Sequence, residues 1–138
     1  MQQEENNGKA TTYSNSNANS NVNSSGPKYN LFQPQAFLNG DKYIPEVFQR
    51  QGAHRYVDCR SAKILSRNNG QTIVQYDMIV IGSTGKQSRQ QCIVGLLTGK
   101  GYLVQYQADD GSWHPMDRTT ASLAGYNAGL VLIDYLQL

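Results

Sequence analysis

Short turns rich in glycine, asparagine and aspartate divide the chain after residue 53 into five segments. The first four are residues 54–66, 71–81, 89–98 and 102–108, and the fifth begins at Ser112 and Trp113. Dipeptides such as Asn69-Gly70 and Asp110-Gly111 tolerate the positive φ angles of tight hairpin turns, so consecutive segments should pair antiparallel. The pattern predicts a mainly β fold, either a meander or a small barrel or sandwich, with α+β as the alternative class.

Alternation of side chains along these segments predicts a sheet that is apolar on both faces. In the second segment, one face carries Val74, Tyr76, Met78 and Val80, and the other carries Ile73, Ile79 and Ile81. Both faces therefore need a cover. We expect a helix near Pro45 and the C-terminal segment to cover one face, and a second sheet, a barrel wall or another subunit to cover the other.

A short helix is expected to begin at Pro45, because proline suits the first helical position and Gly52 can end the helix about two turns later. Val47 and Phe48 would then face the core. This is the one short helix that the sequence predicts before the meander.

Residues 119–138 fit either a helix or a strand. Thr119 or Thr120 can cap a helix, but Gly125 and Gly129 each weaken one by roughly 1 kcal/mol relative to alanine. The apolar run that follows Gly129 favours a closing strand. The choice between the two stays open at this point.

Composition changes abruptly at Gly26 and Pro27. In residues 11–26 asparagine and serine dominate, and Tyr13 and Val22 are the only sizeable apolar groups. So little apolar surface cannot offset an ordering entropy of roughly 1–2 kcal/mol per residue. We therefore expect a disordered tail over residues 1–26 and a single β-rich domain over residues 27–138.

Targeting and membrane signals are not found in the sequence. The first ten residues contain neither the basic nor the apolar region of a secretory signal. The longest apolar run, residues 130–133, has four residues, against the roughly 18 that a membrane-spanning helix needs. We expect a soluble protein without a membrane span, either cytoplasmic or a mature secreted, envelope or viral-particle protein.

Few side chains in this sequence do chemistry at neutral pH. It has two histidines, His54 and His114, and two cysteines, Cys59 and Cys92. Their spacing matches no metal site and no nucleophilic motif, and the glycine-rich turns do not match a phosphate loop. We expect no cofactor, no metal and no catalytic activity; a small thiol-dependent enzyme is one alternative. Whether the cysteines are free or bridged stays open.

Charge is distributed unevenly along the chain. From Lys28 to Lys100 there are ten lysines and arginines against four acids, whereas from Gly101 onward one arginine stands against four acids. Two candidate partner-binding patches follow. The basic patch is Arg50, Arg55, Tyr56, Arg60, Lys63 and Arg67. The acidic and aromatic patch is Asp109, Asp110, Trp113 and Asp117.

A positive surface on one copy can meet a negative surface on the next, and contacts between two different surfaces build rings or filaments. We therefore expect a non-catalytic protein-binding or assembly module, a structural subunit that associates with itself. The main alternative is a nucleic-acid-binding module, in which the basic patch meets phosphates and Tyr56 stacks on a base.

Overall fold

A computed structural model describes residues 29–99, 101–119 and 121–138. Its centre is one antiparallel sheet of six strands, in which neighbours along the chain are also neighbours in space. The strands are β1 (Glu46–Arg50), β2 (Ala53–Asn68), β3 (Gln71–Ile81), β4 (Gln87–Leu97), β5 (Leu103–Gln107) and β6 (Trp113–Pro115). The sheet curls into a half-barrel, and the predicted antiparallel meander is confirmed. The predicted tail over residues 1–26 lies outside the described residues.

The turn between β2 and β3 forms as its sequence predicts. Asn69 and Gly70 have φ angles of 52° and 81°, the combination that a two-residue hairpin requires. Residues Asn68 and Gln71 flank the turn as cross-strand partners. The register of the longest hairpin is therefore set by local chemistry.

The helix predicted to begin at Pro45 is wrong. Residues 46–50 form β1, which pairs with the start of β2 through a second tight turn at Gln51 and Gly52, where φ is 52° and 83°. The Val57 N–H also donates to the carbonyl oxygen of Pro45, and the Glu46 N–H donates to the carbonyl oxygen of Ala36. These pairings stabilise the segment as a strand and override its helical start signal.

The closing strand favoured for the C-terminal segment is also wrong, because Leu123–Leu136 form a helix, α1. Its glycines allow close packing. A Cβ on Gly129 would lie 2.5 Å from Cγ1 of Val104 on β5, and one on Gly125 would lie 2.5 Å from Cε of Met116. Burial of α1 against the sheet offsets the low helix propensity of the two glycines.

The core lies between α1 and one face of the sheet, which we call the helix-covered face. From α1, residues 127–133 are all buried. From the sheet, the core contains Val47, Val57, Cys59, Val74, Tyr76, Met78, Val94, Leu96 and Val104. Tyr29 and Phe37 also belong to this cluster, with ring centroids 6.1 Å apart. The C-terminal segment thus covers one face as expected, whereas no helix or strand of the described ranges packs on the opposite, open face.

The strands are staggered, and within the described ranges this leaves two long strand edges without a ladder partner. β1 pairs only with residues 53–56 of β2, and β5 pairs only with residues 95–97 of β4. Loop carbonyls of Pro45 and Tyr43 accept from Val57 and Cys59. Residues 60–68 of β2 follow these loop contacts and form one free border of the sheet within the described ranges. Residues 87–93 of β4 form the other, at the diagonally opposite corner.

Candidate interaction surfaces

The structure divides the predicted basic patch between an edge and the two faces of the sheet. Arg60, Lys63 and Arg67 are exposed along the outer border of β2, and we call these three residues the basic edge. Arg50 is exposed at the end of β1, beside the turn to β2. Arg55 and Arg67 pair with Val80 and Thr72 of β3, which are eight strand residues and so about 26 Å apart. The six predicted residues therefore do not form one patch.

Arg55 and Tyr56 follow one another on β2 and so point to opposite faces. Arg55 lies on the helix-covered side, with its guanidinium carbon 5.9 Å from the ring centroid of Phe48. Tyr56 lies on the open face and is 8% exposed. Its ring stacks on His54, with centroids 6.3 Å apart and planes inclined by 20°. Little of this ring is accessible for stacking on a base.

Arg60 is held by the loop that precedes β1. Its Nη1 donates to Oδ2 of Asp41 at 2.8 Å, and its guanidinium carbon lies 4.2 Å from the ring centroid of Tyr43. The bond to Asp41 raises the pKa of Arg60. Burial of Asp41 raises the pKa of its carboxyl, but the bonds from Arg60 and from the Tyr43 N–H outweigh it and lower the pKa overall. Arg60 is thus a fixed charge with an internal partner.

Lys63 and Arg67 flank the most exposed apolar part of β2. Ile64 is 37% exposed and Leu65 is 44% exposed. Two irregularities in the register with β3, between Asp58 and Lys63 and between Ile64 and Ser66, bend this part of the strand. The basic edge therefore combines positive charge with apolar surface.

The predicted acidic residues lie around β6, at the other end of the strand order. Asp109 and Asp110 form the turn before β6, Asp117 follows it, and all three are exposed. We call them the acidic edge. The hydroxyl and N–H of Ser112 lower the pKa of Asp110, and the N–H of Thr119 lowers the pKa of Asp117. These bonds favour the negatively charged form of both carboxylates.

Trp113 does not project from the acidic edge. A Cβ built on Gly95 would lie 3.0 Å from two carbons of the Trp113 ring, so the indole lies across β5 on the open face and packs against the Gly95 backbone. Gln71 Nε2 donates to Oε1 of Gln105 beside it, at 2.9 Å. Trp113 is half-buried. Its ring helps to hold the short strand β6 on the sheet.

An open groove of 630 Å³ lies between β5 and the start of α1. It is lined by Tyr102, Leu103, Met116, Asp117, Arg118, Thr119 and Tyr126. Asp117 is bound by Thr119 and Ser122, and Arg118 lies 6.0 Å from the ring centroid of Tyr126. The groove contains no histidine or cysteine and faces solvent beside the acidic edge.

Sequence reasoning missed a buried carboxylate on the open face. Glu46 is 4% exposed, and its Oε2 lies 2.5 Å from Nδ1 of His54. Burial, and then the charge of Glu46, raise the pKa of the neighbouring Tyr56. The pair spans the β1–β2 hairpin, so it becomes recognisable only when residues 46–50 are identified as a strand.

Neither cysteine has the surroundings of a nucleophile. Both are free, which answers the question that the sequence left open. Burial raises the pKa of Cys59 to about 12, and burial also raises the pKa of Cys92. A catalytic thiol needs the opposite shift. Both thiols lie on the helix-covered face, whereas His54 lies on the open face.

One group of side chains near β6 contains the residue types of a catalytic triad in a different connectivity. Ser112 Oγ donates to Oδ1 of Asp110 at 2.5 Å and lies 2.7 Å from Nε2 of His114. In a serine nucleophile the hydroxyl donates to the imidazole, and the carboxylate binds the other ring nitrogen. Here the hydroxyl donates to the carboxylate, so the arrangement stabilises the turn.

No family model, curated protein or solved structure matches this chain. Within the described ranges, no group of three or more histidine, cysteine and acidic side chains is placed to hold a metal ion. No helix in this part of the chain is long and apolar enough to cross a membrane.

Proposed function

We propose that this protein is a non-catalytic assembly module whose copies join through oppositely charged borders of the sheet. The supporting observation is the separation of the basic edge on β2 from the acidic edge around β6. Four strand spacings, about 19 Å along the sheet, lie between β2 and β6. The uneven charge along the sequence thus corresponds to two distinct surfaces.

Contact between the basic edge of one copy and the acidic edge of the next is heterologous. Such a contact leaves one edge unused at each end, so it propagates into a ring or a filament. Exposed charges interact within about one Debye length, roughly 8 Å at physiological salt. We therefore expect association that weakens as salt is added.

Apolar surface accompanies the charge on both sides of the proposed contact. Ile64 and Leu65 are exposed beside the basic edge, and Tyr106 is 42% exposed on the strand next to β6. Interfaces commonly place such apolar and aromatic groups inside a polar rim. Burial of these side chains would supply affinity, and the charges would select the partner surface.

A charge exchange between two variants tests the proposal. Variant one carries Lys63→Glu and Arg67→Glu, and variant two carries Asp109→Lys and Asp110→Lys. Each variant alone has like charge on both edges, and we expect it to lose the salt-sensitive association of the wild type. An equimolar mixture restores opposite charges at every contact, so its native mass should rise again.

The matched control is Lys86→Glu, which reverses an exposed charge in the turn between β3 and β4, away from both edges. Wild-type association by both charge-reversed variants, or a mixture that stays dissociated, would contradict the proposal. If variant one instead loses binding to an oligonucleotide while native mass never changes, the nucleic-acid alternative is supported, because phosphate contacts depend steeply on salt.

A further inference from the structure

The borders of the sheet differ in how well they are protected against pairing with another strand. Natural sheets protect their edges with short strands, bulges, proline and charged side chains. β1 has five residues, a register irregularity after Glu46, and Arg50 at its end. The outer border of β2 has two irregularities and the charges of Lys63 and Arg67. β6 has three residues and ends at Pro115, which has no N–H to donate.

Residues 87–93 of β4, which we call the β4 edge, have only one of these protections, a single charged side chain. The register with β3 runs without a shift from Ile81 and Gln87 to Gln71 and Leu97. The edge contains no proline and one charged residue, Arg89. That charge is compensated within the same sheet, because Nη1 of Arg89 donates to Asp58 at 2.9 Å and to Asp77 at 3.1 Å.

Among the described residues, none pairs with the outer backbone groups of the β4 edge. The Gly82 N–H donates to the carbonyl oxygen of Lys86 at 3.0 Å, where the β3–β4 ladder begins. The N–H and C=O groups of successive residues point to alternate sides of a strand within the plane of the sheet. Those of even-numbered residues of β4 therefore point towards β3, and those of odd-numbered residues point away from it. Gly95 is odd-numbered and pairs with Gln105 of β5, as this alternation requires. The outward residues before that ladder are Gln87, Arg89, Gln91 and Ile93.

We propose that the β4 edge pairs with the β4 edge of a second copy, antiparallel about a two-fold axis at Gln90. This axis places Arg89 opposite Gln91 of the partner subunit, whereas an axis at Arg89 would set two arginines face to face. Like charges directly opposite each other destabilise a strand pair. A glutamine amide both donates and accepts, so a glutamine-rich edge suits an identical partner. The result is a continuous sheet of twelve strands, two sets of the six described.

This pairing is separate from the charge-driven contact proposed above. It uses backbone groups at one border, whereas the charged edges lie on β2 and around β6. Added salt therefore weakens the charged contact and leaves the β4 pair. The two proposals can fail independently, because substitutions in β4 leave the basic and acidic edges intact.

Gln91→Pro removes an outward N–H that takes no part in the β3–β4 ladder, and Gln91→Ala keeps it. At a salt concentration that abolishes charge-driven association, we expect the wild-type chain to be dimeric. The proline variant should raise the dimer dissociation constant at least about tenfold, since two backbone bonds are lost per dimer. The alanine variant should stay within about threefold.

Charge substitutions at the same position test the register. Gln91→Glu places a carboxylate opposite Arg89 of the partner subunit and should tighten the dimer, whereas Gln91→Lys should weaken it. Gln90→Cys places two thiols on the two-fold axis, where oxidation should yield a covalent dimer. Ser83→Cys, in the exposed turn before β4, serves as the control and should not.

A wild-type chain that stays monomeric at every concentration overturns the inference. So does a dimer that survives Gln91→Pro and is not cross-linked through Gln90→Cys, because such a dimer uses another surface. If Gln91→Pro lowers the unfolding temperature of the monomer, the lysine variant and the cross-link still decide the question.

Discussion

At the scale of single residues, Gly129 determines how closely α1 approaches the sheet, and Gly125 determines how closely it approaches Met116 after β6. The sequence shows them as weak helix formers, and only the packed structure shows that Val104 occupies the space of a Gly129 side chain. Helix propensity is therefore a poor guide to this segment. The free energy that two glycines cost a helix is small beside the free energy gained by burying residues 127–133.

We expect Gly129→Ala to lower the free energy of unfolding by about 1–3 kcal/mol, because the new methyl group overpacks against Val104. Gly125→Ala should cost less, since it meets the flexible end of Met116. Gly99→Ala is the control, because nothing lies within 4 Å of a Cβ at that position. Urea denaturation measures the three values, and a stabilised Gly129→Ala would disprove the account of helix packing.

The buried thiol of Cys59 should make stability fall in alkaline solution. Its pKa is raised by burial from 9.0 to about 12, so between these values the unfolded chain loses its proton and the folded chain keeps it. The contribution of this thiol to stability is thus fully present below about pH 8 and is lost as pH rises through the unfolded pKa towards the folded one. Cys59→Val should reduce the decrease between about pH 8 and pH 10, as measured by the urea midpoint. An unchanged slope would show that Cys59 titrates normally in the fold.

At the scale of elements, the sequence predicts those strands that are bounded by recognisable turn residues. Asn69 and Gly70 form the expected hairpin, whereas Gln51 and Gly52 form an equivalent turn from a dipeptide with a weaker signal. The sequence consequently predicts a helix beginning at Pro45 where the structure has β1. β1 can be identified as a strand only from its pairing with β2, and local propensities give no information about such a tertiary contact.

Asn127 joins α1 to β1. Its Nδ2 donates to the carbonyl oxygen of Val47 at 2.9 Å, in a buried position 80 residues away along the chain. We expect Asn127→Ala to cost about 1–3 kcal/mol, because a buried carbonyl loses its partner. Hydrogen exchange should speed up in β1 more than in β3. Gln49→Ala, at an exposed position on the same strand, is the control. Equal protection of β1 from exchange in both variants would show that Asn127 does not stabilise the contact between α1 and β1.

The same limit explains why the candidate surfaces were only partly predictable. Uneven charge was visible in the sequence, and it corresponds to a basic edge and an acidic edge. Arg55 and Tyr56, predicted for one patch, lie on opposite faces of the sheet, because consecutive strand residues alternate in direction. The buried pair of Glu46 and His54 depends on the β1–β2 register, which the sequence did not provide.

At the scale of the whole molecule, stagger of the strands creates the borders on which both proposals depend. A sheet with strands of equal length would have only two edges, at β1 and β6. Because β1 and β5 pair with short parts of their neighbours, β2 and β4 each add a further border. One is charged and irregular, and the other is neutral and regular, so they suit different kinds of contact.

Native mass, measured across protein concentration at low and at high ionic strength, shows whether copies of this chain join through the borders of the sheet. We expect species well above the 15.3 kDa chain at low ionic strength, and their reduction to dimers at high ionic strength. A mass of one chain at every concentration and at both ionic strengths would exclude self-assembly.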